Sequence, residues 1–377
     1  MTDQEYMQRA IELAERGEGW CHPNPKVGAV IVKNGRIIGE GYHARYGDLH
    51  AERSAFASLS ESAEGADMYV TLEPCCHHGH QPPCTDAILG HGIRRIFIGS
   101  RDPNPLVAGK GAQILIDHGI EVISDFMRDE CDALNPVFFH YITKKMPYVV
   151  MKYAMTMDGK IATYTGASKW ITGEAARQKV QKMRHALMAI MVGIGTVLAD
   201  DPLLTCRLEN GRSPVRVVCD GSIRLPTKSR LVQTAKEIPV WDVCSLLSLP
   251  TGELDRADFE DKEEPLRARA CDLLNTGVRI FNFPTREDVD LVALFQEMGR
   301  EEIDSVLVEG GGTLNESVLK SGLVNEVDIF MAPKIFGGAA RTPVAGLGVE
   351  DPSEAWMFKI IDTEKIGEDL LIRLRPK

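Results

Sequence analysis

The chain has 377 residues, 44% hydrophobic and 26% charged, which is enough for two globular cores rather than one. A net charge of −11 excludes broad electrostatic binding to nucleic acid or an anionic membrane, but leaves small phosphorylated ligands open, because local Arg, Lys and N–H groups hold those. No apolar run reaches the ~18 residues of a spanning helix, and the acidic start Met1-Thr2-Asp3-Gln4-Glu5 reads as no secretory signal, so a cytoplasmic protein is expected.

Thr2-x-x-Glu5 ahead of Tyr6, Ala10, Leu13 and Ala14 predicts a capped amphipathic helix. Residues 27–32, the Asn34-Gly35 pair and residues 36–39 predict a hairpin. A helix from His50 to about Leu59, a strand over 68–72, a short helix over 85–89, a strand over 96–99, a helix over 111–118 and a strand over 120–123 follow. Strands alternating with helices at this spacing predict a three-layer α/β/α sandwich. One helix is predicted from Asp129 to about Tyr141, leading to Lys144-Lys145-Met146-Pro147, and the boundary near residue 146 divides the chain into domains 1–145 and 146–377. The second half repeats the α/β rhythm, with strands over 148–154, 189–192, 215–219, 278–281 and 305–308; no internal repeat is evident. Residues 249–264 contain Pro250, Gly252 and seven acidic residues, and are expected to form a solvated excursion without function. The nine cysteines include Cys21, Cys131, Cys206, Cys219, Cys244 and Cys271, scattered in the chain and read as reduced thiols rather than a disulfide framework.

The first chemical pattern is His50-Ala51-Glu52 with Pro74-Cys75 and Cys84. One imidazole and two thiolates hold zinc at three corners and leave the fourth for water. Glu52, two residues beyond the histidine, is then free to move protons, as in zinc nucleobase deaminases, where H-x-E and a later P-C pair recur. His50 and Cys84 each adjoin a predicted helix start, where free N–H groups favour a thiolate, and Cys75 follows a predicted strand. The alternative is a structural site closed by Cys76, His77, His78 or His80. Eight residues separate Cys75 from Cys84, where the general pattern has two.

Beyond these residues, His22-Pro23-Asn24-Pro25-x-Val27-Gly28, Gly39-Glu40-Gly41-Tyr42-His43, Thr71-Leu72-Glu73-Pro74-Cys75 through Pro82-Pro83-Cys84, and Asp102-Pro103-Asn104-Pro105-x-Val107-x-Gly109 complete a longer match. Residues 1 to about 145 resemble the deaminase half of the bifunctional pyrimidine deaminase/reductases of riboflavin biosynthesis, in which the long cysteine gap is normal. The resemblance implies a cytidine-deaminase-like domain with His50, Cys75 and Cys84 as zinc ligands and Glu52 as proton shuttle. It also implies Asn24, His43 and His77 as substrate contacts, with Asn24 reading the pyrimidine edge. Within the cysteine loop this chain departs from the family: Cys76 replaces Ser, His80 replaces Lys or Arg, and Gln81 replaces Thr. With an ordinary pKa near 6.5, His80 removes a permanent positive charge.

Val306-Leu307-Val308-Glu309-Gly310-Gly311-Gly312-Thr313-Leu314-Asn315 predicts a strand, a glycine turn and a helix, a shape that cradles phosphate without being G-x-G-x-x-G. With Lys152-Tyr153-Ala154-Met155-Thr156-Met157-Asp158-Gly159-Lys160, Ser168-Lys169-Trp170-Ile171-Thr172 and the run from Gly195 to Arg207, it resembles the reductase half of the same family. That half is similar to dihydrofolate reductase in fold and implies NADPH. Carried over, Ala154, Trp170, Thr196, Asp200 and Ser222 contact the cofactor, and Gly311, Gly312, Thr313, Leu314, Asn315, Glu316 and Ser317 hold its phosphates. Ser168, Arg184, Leu204, Arg207 and Glu309 face the substrate; the arginines suit its phosphate, and Glu309 is a candidate proton donor. Without the resemblance, Trp170 also fits core packing, Arg184 a helix-surface cation and Asp200 a helix or turn cap.

Together the two resemblances imply hydrolytic deamination of 2,5-diamino-6-ribosylamino-4(3H)-pyrimidinone 5′-phosphate. NADPH-dependent reduction of the ribosyl group then gives 5-amino-6-(5-phosphoribitylamino)uracil. They imply one zinc ion per chain and a homo-oligomer, dimer or tetramer. Two other readings stand beside this one: a cytidine- or tRNA-adenosine-type deaminase with an unrelated second domain, and a non-catalytic zinc-stabilised ligand-binding module.

Overall fold

Thr2 starts the helix Asp3–Glu15 with a closed capping box: its hydroxyl accepts from the Glu5 N–H, and the Glu5 carboxylate accepts from the Thr2 N–H. The structure is a computed structural model that describes residues 1–78, 81–104, 107–286 and 288–377; the expectation for His80 and the Pro105 position of the second proline motif lie outside the described residues. The chain forms two compact units, Met1–Lys145 and Met146–Lys377.

In the first unit, Asn34 and Gly35, at φ 51° and 72°, turn β1 (Gly28–Lys33) into β2 (Arg36–Tyr42), the left-handed geometry that an Asn-Gly pair favours. With β3 (Asp67–Leu72), β4 (Arg95–Ser100) and β5 (Glu121–Ile123) they form a sheet of order β2-β1-β3-β4-β5. β3, β4 and β5 are parallel, and β1 is antiparallel to both its neighbours. Alternation along the strands feeds two cores. Ala29, Ile31, Met68, Val70, Ile96 and Ile98 pack with Ala55 and Phe56 of the helix Ala51–Ala57 and Ile88 of the helix Cys84–Gly90. Val30, Val32, Tyr69 and Phe97 pack with Tyr6, Met7 and Ala10 of the first helix. This is the expected three-layer sandwich. Gly41 lets the helix Ala51–Ala57 press onto β2, since a Cβ there would lie 2.2 Å from the Ala55 nitrogen.

The single helix expected over 129–141 is two helices, Arg128–Asp132 and Pro136–Lys144. Pro136 has no N–H to continue the ladder and restricts the residue before it, so Asn135 leaves the helical region at φ −128°. The freed Asn135 side chain accepts from the Lys26 N–H and donates to the Lys26 carbonyl, both at 2.8 Å. The break therefore tethers the loop that carries Asn24.

The second unit contains β6 (Tyr148–Thr156), β7 (Ala189–Gly193), β8 (Val215–Gly221), β9 (Val240–Cys244), β10 (Gly252–Leu254), β11 (Arg279–Asn282), β12 (Ser305–Val308), β13 (Val324–Ala332), β14 (Phe358–Ile366) and β15 (Asp369–Pro376). They form one sheet, β10-β11-β9-β8-β7-β12-β6-β13-β15-β14, in which every pairing from β11 to β13 is parallel. Met191, Val217, Val306 and Val308 pack on one face, and Ile190, Val192, Val218 and Ile280 on the other. β9, β13 and the hairpin β14–β15 were not expected from the sequence.

Residues 249–264 are not a free excursion. Leu249, Leu254 and Phe259 are buried, β10 pairs with β11, and the Asn282 amide donates to the carbonyls of Leu246, Leu249 and Pro250. Apolar anchors spaced among the acidic residues pull the segment onto the sheet. All nine cysteines are free, with Cys21, Cys84, Cys131 and Cys244 buried. Among the described residues no helix is long and apolar enough to cross a membrane.

Candidate active sites

His50 caps the helix Ala51–Ala57, and Cys84 begins the helix Cys84–Gly90. Cys75 follows β3, beyond Glu73 and Pro74. His50 Nδ1 lies 3.5 Å from Cys75 Sγ and 3.4 Å from Cys84 Sγ, and the three donor atoms all lie within 4.8 Å of one another. This is the one group of its kind among the described residues, and Cys76, His77 and His78 stand outside it. One imidazole and two sulfurs at such spacing fit zinc with a position left open.

The two thiols divide their protons unevenly. The Cys84 thiol donates to Cys75 and, with His50 beside it, holds Cys75 well below the ordinary thiol value. Cys84 is pushed up, because its proton bonds to Cys75 and because it is buried. Glu52 lies in hydrogen-bond contact with Cys84, and burial, followed by the charge on Cys75, raises its carboxyl above the ordinary value. The geometry thus sets a buried carboxyl beside a set of metal donors.

His43 is buried, which lowers its pKa and keeps the ring neutral. Its Nδ1 donates to the Leu49 carbonyl at 3.1 Å, so Nε2 is left to accept from the Asn24 amide at 3.3 Å. With its nitrogen committed, Asn24 keeps its carbonyl oxygen as an acceptor. His77 has a buried Nδ1 with no hydrogen-bond partner among the described residues. Sequence reasoning passed over Glu73, which sits next to the Pro74-Cys75 step. Its carboxylate accepts from Gly109 N–H at 3.0 Å and Ala112 N–H at 3.1 Å, capping the helix Lys110–Asp117 and fixing the chain ahead of Cys75. Asp102, buried and pushed up to about 6 by desolvation, closes the same region.

In the second unit the candidate residues cluster at the carboxyl ends of the parallel strands, where open α/β sheets bind ligands. Thr196 follows β7, Ser222 follows β8, and Glu309 and the glycine turn follow β12. Gly311 caps the helix Gly312–Lys320, and a Cβ added at Gly195 or Gly311 meets nothing within 4 Å. The first-turn N–H groups of that helix have no intrahelical partner and suit a phosphate, so the turn fits a dinucleotide.

Arg184 forks onto Glu309, Nε to Oε1 at 2.7 Å and Nη2 to Oε2 at 3.1 Å, while Lys152 Nζ lies 3.5 Å from Oε2. Burial alone would raise Glu309, but the charges of Lys152 and Arg184 outweigh it and hold the carboxyl at about 2. Its ordinary value is 4.5, so the cluster should contribute stability in full above that pH and lose it as pH falls toward 2. Thermal unfolding scanned across this window should show the loss in the native protein and a smaller one in Glu309→Gln. An equal loss in both would assign it to other carboxylates.

The family described as RibD C-terminal domain matches residues 147–372, and that described as cytidine and deoxycytidylate deaminase zinc-binding region matches residues 1–100. The riboflavin biosynthesis protein RibD of Actinobacillus pleuropneumoniae is 52% identical over 373 residues, 99% of this chain and 95% of its own. The chain belongs to the RibD family. Acinetobacter baumannii RibD, form 1, superposes at TM-score 0.85 with 37% identity, over 100% of this chain and 99% of its own. The diaminohydroxyphosphoribosylaminopyrimidine deaminase/5-amino-6-(5-phosphoribosylamino)uracil reductase of Thermotoga maritima does so at 0.83 with 39% identity, over 99% and 98%. As a member of that family, this protein is a bifunctional deaminase and reductase of riboflavin biosynthesis.

Several side chains expected at the reductase site face elsewhere. Leu204 is 4% exposed and packs in the core, so only its backbone, at φ 54°, is free to face a ligand. Leu314 and Asn315 are buried, and the Asn315 amide donates to the Pro343 carbonyl, so they offer the cradle their backbone alone. Glu316 pairs with Lys320 at 2.7 Å, and Ser317 donates to Thr313 O and to Asp288. Arg184 spends its fork on Glu309 and its remaining nitrogen on Thr205 O, which leaves Arg207 as the exposed arginine. Trp170 is 62% exposed beneath the Arg177 guanidinium, which rules out core packing, and Asp200 pairs with Lys169 at 3.0 Å. Ala154 and Ser168 are half-buried. Lys152 was quoted in the sequence match without a role; its place beside Glu309 was not readable from spacing.

Proposed function

We propose that the first unit deaminates 2,5-diamino-6-ribosylamino-4(3H)-pyrimidinone 5′-phosphate and that the second reduces the product to 5-amino-6-(5-phosphoribitylamino)uracil with NADPH. The observation that carries this is the buried Glu52 carboxyl beside a three-donor cluster that no fourth described residue closes. Zinc, when bound by His50, Cys75 and Cys84, acidifies a water from ~15.7 to about 7. Glu52 would accept the proton released as a water attacks the ring and pass it to the ring nitrogen, then take the second proton from the added hydroxyl as the carbonyl forms and pass it to the amine, which leaves as ammonia. Asn24 offers its carbonyl oxygen to the pyrimidine edge, held in that sense by His43, and His77 supplies a further polar contact.

NADPH, when bound, supplies the reducing equivalents. Ala154, Trp170, Thr196, Asp200 and Ser222 line its site, and the N–H groups from Gly311 onward hold its phosphates. Ser168 and Arg207 receive the substrate, and Arg184 orients Glu309. A carboxylate held ionised at about 2 is a poor acid, which makes Lys152, 3.5 Å from Glu309, the better candidate for proton donor. The same reading expects a cytoplasmic homo-oligomer, dimer or tetramer, which sedimentation velocity checks.

The test supplies the pyrimidine substrate with and without NADPH and follows ammonia and NADPH absorbance together. Ammonia should appear without NADPH, and NADPH should be consumed only after ammonia is released. NADPH consumption that precedes ammonia, or a zinc shell of four protein ligands by X-ray absorption, would overturn the reading.

A further inference from the structure

Arg53 follows Glu52 on the helix Ala51–Ala57, and its side chain reaches across to the cysteine loop. Nε donates to the Pro82 carbonyl at 3.1 Å and Nη2 to the Pro83 carbonyl at 2.9 Å. Pro82 and Pro83 have no N–H, so this stretch cannot anchor itself by donating to a neighbouring backbone. Pro83 is also the N-cap of the helix Cys84–Gly90 and gives it no side-chain cap. On its other side Cys84 is fixed by Cys75: the Cys84 N–H lies 3.4 Å from Cys75 Sγ, and the Thr85 N–H donates to the Cys75 carbonyl at 3.2 Å. Cys84 is thus held from Cys75 on one flank and from the His50–Glu52 helix, through Arg53, on the other.

We propose that Arg53 is a positioning residue of the metal site, clamping the Pro82-Pro83 carbonyls so that Cys84 stays in register with His50, Cys75 and Glu52. The proposal rests on the assignment of His50, Cys75 and Cys84 as the ligands. A planar fork that bonds two successive carbonyls is a task for arginine, because a lysine ammonium has no such paired geometry. Supporting residues around a metal commonly govern affinity by 10- to 100-fold, and Arg53 stands in that relation to Cys84.

The experiment titrates zinc in the full-length protein against a chromophoric chelator for the native chain, Arg53→Ala, Arg53→Lys and Cys84→Ser. Reductase turnover of supplied deaminated intermediate serves as a folding control. Arg53→Ala should bind zinc about 10- to 100-fold more weakly and release it faster, with Arg53→Lys between it and the native chain and reductase turnover unchanged. If Arg53→Ala fails to fold, Arg53→Lys carries the measurement. Zinc affinity within twofold of native in Arg53→Ala, or in Arg53→Lys where that stands alone, would overturn the proposal while leaving the ligand assignment intact. Native zinc affinity in Cys84→Ser would overturn the ligand assignment and this proposal with it.

Discussion

Glu52→Gln should lower ammonia release by about 10³- to 10⁴-fold, the upper part of the range for losing a general acid–base group, because one carboxyl serves several proton transfers. Glutamine keeps the volume and the buried contact with Cys84 but cannot carry a proton. It removes no metal donor, so zinc content should stay at one per chain. Reduction of supplied deaminated intermediate should continue at the native rate, since Glu52 belongs to Met1–Lys145 and the reductase residues to Met146–Lys377. Ammonia, zinc and NADPH consumption measured on one preparation decide the matter. A variant that retains a tenth of native ammonia release would show that another group moves the protons.

Arg184→Met should have the second large effect. It leaves the buried Glu309 carboxylate with Lys152 alone at 3.5 Å, and breaking a buried charge cluster on one side costs about 3–5 kcal/mol. Reductase kcat/KM should fall by about 100-fold, the scale that a misplacement of roughly 1 Å carries, while ammonia release holds. Glu309→Gln added to Arg184→Met should restore neither stability nor turnover, because it takes from Lys152 the carboxylate that Arg184→Met leaves it. Urea denaturation of the single and double variants separates the two contributions. A single variant destabilised by less than about 1 kcal/mol would place Arg184 in the ordinary surface class.

The sequence made the local signals of the first unit readable because each is short-range chemistry. The Thr2–Glu5 box, the Asn34-Gly35 turn and the helix start at His50 depend on residues within a few positions of one another. The His50, Cys75 and Cys84 group, which the structure brings together, was legible for a different reason: His-x-Glu and Pro-Cys in those contexts have few other uses. What stayed hidden depends on distant partners. β14 is largely exposed, with no apolar alternation to announce it, and exists because β15 pairs with it. β9 interrupts its apolar run with Asp242, which is fully buried. In the reductase half, resemblance gave positions but not directions, and a helix such as Gly312–Lys320 sends Leu314 and Asn315 inward while its N–H groups face the turn. Arg53, Glu73, Asn135 and Lys152 were missed because their meaning lies in contacts made 29 to 157 positions away, several of them with backbone atoms, which leave no pattern in composition or spacing.

The acidic segment that folds back as β10 also guards one edge of the sheet against pairing with strands of other chains. Without it, β11 would end a parallel sheet with a row of open N–H and C=O groups, a template for strands of other chains. β10 covers that row with three residues, Gly252–Leu254, too few to extend the template far. Glu253 is tied to Arg279 of β11 at 2.6 Å, and further carboxylates follow at Asp255, Asp258, Glu260 and Asp261. A segment that supplies no catalytic group thereby closes one border of the sheet with charge, and its loss would register first as aggregation rather than as lost turnover.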